Sequence, residues 1–229
     1  MVPRTVSRYR FIRILGLAGL LGIVAFATKR LLWPKRFQVV LPGALYRSGQ
    51  IQPWLIKPIL AHFRIEVILD LQGERPSSVR AREAELAAAH DMGVLYYSFS
   101  LEGDGSGSVD EYACALTVLH RSREAGKRVL VHCAAGTERT GALIAFYQLL
   151  FEKRPPERVW NELQKAGHRP SRNPHLRRFI NQVIPTLSTR LKKKGILPEI
   201  PSPLPLLPTA HLSPSFAGHF APCVAFASF

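Results

Sequence analysis

Val129-Leu130-Val131-His132-Cys133-Ala134-Ala135-Gly136-Thr137-Glu138-Arg139-Thr140-Gly141 leaves a short apolar strand, expected over Arg128–His132, crosses a loop of small residues and enters a helix expected over Thr140–Phe151. A loop in that setting can turn several backbone N–H groups inward, and the dipole of the following helix favours an anion there. Ala134, Ala135 and Gly136 let the backbone curl tightly, and Gly136 is free to take a positive φ. Arg139 can grip two oxygens of such an anion in a bidentate fork, which a lysine cannot do. The same positive surroundings stabilise a thiolate at Cys133, as at other helix N-termini where thiols titrate at about 3.5–7.5. A thiolate beneath a clamped anion is placed for in-line attack.

Outward from this stretch the chain alternates strand-like and helix-like segments. Phe37–Val40 and Ala44–Ser48 read as short strands around the Pro42-Gly43 turn, and Pro53–Phe63 as a helix with proline near its start. Ile65–Leu71 and Val94–Leu101 read as strands, and Ser77–Asp91 and Val109–Ala125 as helices stopped by Gly93 and Gly126. Pro155–Ala166 and Pro174–Lys193 supply two closing helices. Strands joined by crossover helices imply an α/β domain with a central, mostly parallel sheet covered on both faces. The division expected is a basic, hydrophobic segment over residues 1–36, a single domain over 37–195 and a Pro-rich tail over 196–229, disordered or loosely docked.

The run His132-Cys133-x5-Arg139-Thr140-Gly141 resembles the signature loop of the protein tyrosine and dual-specificity phosphatases. Leu45-Tyr46-Arg47-Ser48-Gly49-Gln50 and Val67-Ile68-Leu69-Asp70-Leu71 look like the opening strands of the bacterial, fungal and plant dual-specificity-like members. The likeness spans about 150 residues, from Phe37 to Arg190. It implies a phosphomonoester hydrolase that needs no metal or other cofactor. Cys133 would attack phosphorus to form a phosphocysteine, and residues 134–139 (Ala134, Ala135, Gly136, Thr137, Glu138 and Arg139) would hold the phosphate. Thr140 would assist departure of the thiolate, and His132 would orient the loop and lower the cysteine pKa. Arg47 reads either as a pocket neighbour or as a plain surface arginine.

The resemblance also calls for a general acid on a mobile loop one helix before the nucleophile's strand. Asp104, within Leu101-Glu102-Gly103-Asp104-Gly105-Ser106-Gly107-Ser108, is the preferred candidate, with Glu102, Asp110 and Glu138 as alternatives. Some bacterial lipid and tyrosine phosphatases carry an acid just before the arginine, as Glu138 stands here. They also favour lysine where this chain has Thr137, and that difference, with Ala134, argues against a pocket specialised for phosphoinositides. No counterpart is evident of the loop that deepens the pocket in the larger tyrosine phosphatases. A shallower site, open to a phosphorylated protein or a small phosphomonoester, is expected.

The net charge of +15 sits mainly at the ends. Residues 1–36 carry eight basic and no acidic side chains, and residues 190–194 add four more cations. The net charge of 37–189 is only +4, so a nucleic-acid partner is not indicated. The apolar run Ile14–Ala27, flanked by arginines and by Lys29-Arg30, predicts either of two things. One is a membrane anchor within residues 8–33, in the form of a transmembrane helix. The other is a cleaved export signal with Ala25-Phe26-Ala27 as the cleavage site. The run's fourteen residues fall short of the roughly 20 that span a bilayer. The three cysteines, Cys114, Cys133 and Cys223, form neither a disulfide framework nor a zinc pattern; Cys114 reads as a packing residue on its helix. His168 and His175 read as surface or core-edge residues. Two other functions compete: a phosphate-binding module without turnover, and a thiol redox or sulfur-transfer protein. Intact Cys133 and Arg139 count against the first; Arg139-Thr140-Gly141 and the lack of a Cys-x-x-Cys pair count against the second.

Overall fold

The computed structural model describes residues 13–17, 19, 33–73 and 76–208. Five strands form one sheet in the order β1-β2-β5-β3-β4. The strands are β1 (Gln38–Leu41), β2 (Leu45–Ser48), β3 (Val67–Asp70), β4 (Leu95–Ser98) and β5 (Val129–His132). The helices are α1 (Pro53–His62), α2 (Val79–Asp91), α3 (Val109–Glu124), α4 (Glu138–Leu150), α5 (Pro156–Lys165) and α6 (His175–Lys193). β1 runs antiparallel to β2, and the other pairings are parallel, as the alternation of strand and helix predicts.

Strands buried on both faces carry near-continuous apolar side chains, and in this sheet consecutive residues feed two cores. Val67, Leu69, Val129 and Val131 face the core under α3, α4, α5 and α6. Ile68 and Leu130 face a second core under α1 and α2. Ser78 caps α2 by accepting from the Ala81 N–H, and Ser108 caps α3 by accepting from the Asp110 N–H. Helix α4 begins two residues earlier than expected. Its first turn closes with a 2.7 Å bond from the Gly141 N–H to the Thr137 carbonyl, which places Glu138 and Arg139 inside the helix.

Parallel pairing brings Ser48, His132 and Asp70 into one row at the carboxyl ends of β2, β5 and β3. Open α/β sheets present their binding crevices at that edge. The Pro-rich segment is docked as far as Pro208. Ile196, Leu197 and Leu207 are buried, and Asn181 of α6 exchanges two hydrogen bonds with the Leu207 backbone at 2.8 and 2.9 Å. Residues 209–229, with Cys223, lie outside the described residues.

Two expectations need correction. Among the described residues no helix is long and apolar enough to cross a membrane, which overturns the predicted membrane anchor and the localisation drawn from it. The run over residues 14–27 is shorter than a bilayer requires, and beyond positions 14–17 and 19 it lies outside the described residues. Cys114 does not pack: it sits on the exposed face of α3, between buried Ala113 and Ala115.

Candidate active site

The loop over 134–137 is shaped from behind. The Ala134 carbonyl accepts from the Gln50 N–H at 3.2 Å, and the Ala135 carbonyl from Arg36 Nη1 at 3.0 Å. The Gly136 carbonyl accepts from Arg47 Nη2 at 2.8 Å. The Thr137 carbonyl takes the Gly141 N–H, with Arg47 Nη2 further off at 3.5 Å. With four successive carbonyls drawn outward, the loop's N–H groups are left to converge on the concave side. Gly136 has φ +74, and a Cβ there would stand 2.5–2.6 Å from backbone atoms of Ser48 and Gly49. Only glycine fits so close to the end of β2.

Cys133 lies at the floor of this cradle, 2 % exposed, and its Sγ accepts from the Gly136 N–H at 3.2 Å. Burial pushes the thiol up. The hydroxyl and N–H of Thr140, the charge of Arg139 and the Gly136 N–H outweigh burial, and the net shift is downward, toward thiolate. Arg139 makes one long contact, Nη1 to the Leu71 carbonyl at 3.4 Å. Its buried Nε has no hydrogen-bond partner among the described residues, so most of the guanidinium fork remains available to an oxyanion.

Arg47 is neither a surface arginine nor a wall of the pocket. It is 5 % exposed behind the loop, and burial lowers its pKa to about 10 while the Cys133 charge pulls the other way. His132 is wholly buried, with Nε2 3.2 Å from Glu85 Oε2 of α2 and 4.0 Å from Asp70 Oδ1. Burial lowers its pKa, but the two carboxylates and Cys133 prevail and raise it to about 9.

The candidate acids occupy distinct settings. Asp104 Oδ1 accepts from the Ser106 N–H at 2.9 Å and the Ser106 hydroxyl at 2.7 Å, bonds that hold its pKa below the ordinary range. Its loop is seated on the cradle. Gly105, at φ +86, packs so closely that a Cβ would meet the Glu138 backbone at 3.0 Å. The buried Tyr112 hydroxyl donates to the Gly105 carbonyl at 2.5 Å. Burial, then the charges of Cys133 and Asp104, drive the Tyr112 pKa far up. Glu138 is engaged elsewhere: Oε2 lies 2.9 Å from Nδ1 of buried His168 and accepts from Asn173 Nδ2 at 3.1 Å. Asn173 Nδ2 also donates to the Asp104 carbonyl at 2.6 Å, tying the acid loop to the start of α4. Asp110 pairs with Arg190 at the surface, Glu102 is exposed, and so is His175.

Sequence reading missed Glu85, Tyr112 and Asn173. Glu85 alone left a trace: with Ala81, Ala88 and Ala89 it falls on the buried stripe of α2, where a carboxylate is out of place.

A thiolate-prone cysteine beneath an N–H cradle, with an arginine on the first turn of the next helix, defines a cysteine-based phosphatase. Residues 34–162 match the tyrosine phosphatase family, and the chain belongs to that family. No curated protein matches the sequence. Among solved structures the fold is similar to TpbA of P. aeruginosa, at 20% identity and TM-score 0.52, covering 69% of this chain and 96% of that one. It is similar to the catalytic core of the PP-IP phosphatase SIW14 of S. cerevisiae, at 19% identity and TM-score 0.55, covering 72% and 96%. A DUF442 protein of Shewanella putrefaciens CN-32 aligns at 20% identity and TM-score 0.56, covering 68% and 93%.

Proposed function

We propose that this chain hydrolyses phosphomonoesters through a phosphocysteine intermediate formed on Cys133. The observation that carries the reading is the cradle: three loop carbonyls are bonded from outside and a fourth closes the first turn of α4, above a cysteine whose thiol is driven toward thiolate. The phosphate is held by the N–H groups of residues 134–139 and by the Arg139 fork. The Cys133 sulfur attacks phosphorus in line as the ester oxygen leaves. Asp104, whose Oδ2 is not used by Ser106, protonates that oxygen. Water then cleaves the P–S bond, and the Thr140 hydroxyl stabilises the departing thiolate. Arg139 and the cradle supply the positive field of the transition state, so turnover is expected to persist in EDTA.

A groove of about 490 Å³ opens beside Ala134 and Ala135, between Lys35, Trp54 and Arg80, and we assign it to the body of the substrate. Its aromatic wall and two cations suit a phosphorylated side chain in an acidic peptide. TpbA has been solved with phosphotyrosine, which supports that choice. SIW14 is a PP-IP phosphatase, so a non-protein phosphate is the second reading, and the same two cations favour it.

The test is p-nitrophenyl phosphate hydrolysis by the full chain, with EDTA and reductant, beside Cys133→Ser. Turnover lost in the variant, with vanadate binding retained, supports the mechanism. A folded chain that binds vanadate without turnover is a phosphate-binding module instead.

A further inference from the structure

We propose that Glu85 is a positioning residue that sets the ionisation of Cys133 by holding His132 as an imidazolium. The inference rests on Cys133 being the nucleophile. Glu85 lies on the core face of α2 and is 1 % exposed. A carboxylate buried that deeply is strongly unfavourable unless a cation or several donors face it. Its neighbours are few. Oε2 stands 3.2 Å from His132 Nε2 and accepts from Gln50 Nε2 at 3.4 Å, while Oε1 is buried with no hydrogen-bond partner among the described residues.

Asp70, the other acid facing His132, is satisfied elsewhere. Its Oδ1 accepts from the Gln72 N–H at 2.9 Å and from Gln72 Nε2 at 3.2 Å, and its Oδ2 accepts from the Tyr96 hydroxyl of β4 at 2.9 Å. From β2 the row neighbour of His132 is neutral Ser48. Arg47, one residue before it, turns its guanidinium to the loop carbonyls. The cation that faces Glu85 at contact distance is therefore the imidazolium of His132, while Arg82, one turn earlier on α2, donates to the Gly73 carbonyl and the Ser98 hydroxyl.

The pair forms a buried dipole. His132 and Cys133 leave opposite faces of the sheet, yet the imidazole feels the Cys133 charge, and the negative end of the pair lies beyond the imidazole, on α2. In a low-dielectric interior the nearer charge dominates. The dipole therefore favours the Cys133 thiolate, although Glu85 is itself an anion. Without Glu85, the group that most opposes burial is lost and His132 moves toward its neutral form, held only by Asp70 at 4.0 Å and by Cys133, so the positive charge that Cys133 feels is diminished.

The experiment follows iodoacetamide alkylation of Cys133 against pH in the full chain. Cys114→Ser and Cys223→Ser remove the other thiols, and Glu85 is compared with Glu85→Gln. The curve of the variant should move to higher pH. At pH values below both midpoints, each pH unit of movement should lower the rate about tenfold, with the high-pH plateau unchanged. Adding Glu85→Gln to His132→Asn should move it no further, since Glu85 acts through the imidazole. A folded Glu85→Gln whose melting temperature falls while its alkylation curve stays put would overturn the proposal. Should that variant fail to fold, the His132 ring of the native chain decides by NMR titration: protonated at pH 7 supports it, neutral refutes it. Alkylation does not require turnover. Failure to hydrolyse p-nitrophenyl phosphate would thus strike the phosphatase reading, and an unmoved curve would strike this one.

Discussion

Arg47→Met removes the brace behind the cradle while keeping most of the buried side chain's volume. The guanidinium makes one bond of full quality, 2.8 Å to the Gly136 carbonyl, and one marginal contact of 3.5 Å to Thr137. The first carries nearly all of the energy, because hydrogen bonds weaken steeply at the longer distance. A hydrogen bond from a charged donor contributes about 1.5–3 kcal/mol. Part of that is offset, since burying the guanidinium is itself unfavourable, as its depressed pKa of about 10 records. A net loss of about 2 kcal/mol follows, borne by the orientation of the peptide that ends at Gly136. With its partner gone, that carbonyl can rotate inward, where it would repel phosphate. Two kcal/mol corresponds to roughly thirtyfold, expected in kcat/KM for p-nitrophenyl phosphate and equally in vanadate affinity. Arg47→Lys should fall between, keeping the charge without the fork. Steady-state kinetics and vanadate inhibition, beside a thermal melt showing the variant folded, make the check. If a folded Arg47→Met keeps both quantities within about threefold of the parent, the outward carbonyls are not what shapes the cradle, and the reasoning is wrong.

Gly136→Ala forces a left-handed backbone onto a residue with a side chain, at about 1–2 kcal/mol. It also drives a methyl against the Ser48 backbone at 2.6 Å, so phosphate affinity measured by calorimetry should fall more than a hundredfold. Asp104→Asn should slow phenyl phosphate far more than p-nitrophenyl phosphate; equal slowing would move the acid elsewhere. Because Asp104 and Cys133 are both shifted downward, kcat/KM for a poor leaving group should peak on the acidic side of neutrality and decline as rising pH deprotonates the acid. His132, raised to about 9, adds stability that is complete below its unfolded pKa of about 6.5 and lost as pH rises through 9. Melts of Cys133→Ser should show that decline, and Glu85→Gln should abolish it. Truncation after Gly195 exposes the sites of Ile196, Leu197 and Leu207. At about 1.5 kcal/mol each it should lower the melting temperature by roughly 10 °C.

The elements were legible because each has a local cause. The doubly buried strands read as apolar runs, and glycine or proline punctuates the helices; among the described residues, the strands β1–β5 and the helices α1–α6 fall close to where periodicity places them. The loop around Cys133 was legible for the same reason, its residues being contiguous. Glu85, Tyr112 and Asn173 were not, because each acts across the fold. Tyr112 reaches the acid loop from α3, and Asn173 joins Glu138 to Asp104 from the linker before α6. No local pattern encodes such meetings. For residues 196–208 the sequence left disorder and loose docking as alternatives, because prolines forbid regular structure but not burial; Leu207 is held by the backbone bonds Asn181 offers rather than by a ladder.

Two distant segments thus become one device. Tyr46-Arg47-Ser48-Gly49-Gln50 reads along the chain only as an opening strand with an arginine near the pocket or at the surface, yet it supplies partners for two of the four loop carbonyls. Arg47 takes the Gly136 carbonyl, the Gln50 N–H takes that of Ala134, and the bare backbone at Ser48–Gly49 leaves room for Gly136 alone. The pairing of β2 with β5 puts the two segments in contact at Ser48 and His132. Catalytic competence therefore depends on strand register: a slip by one residue would turn Arg47 to the opposite face of the sheet. The anion site would then be lost while Cys133, Arg139 and every residue between them stayed unchanged.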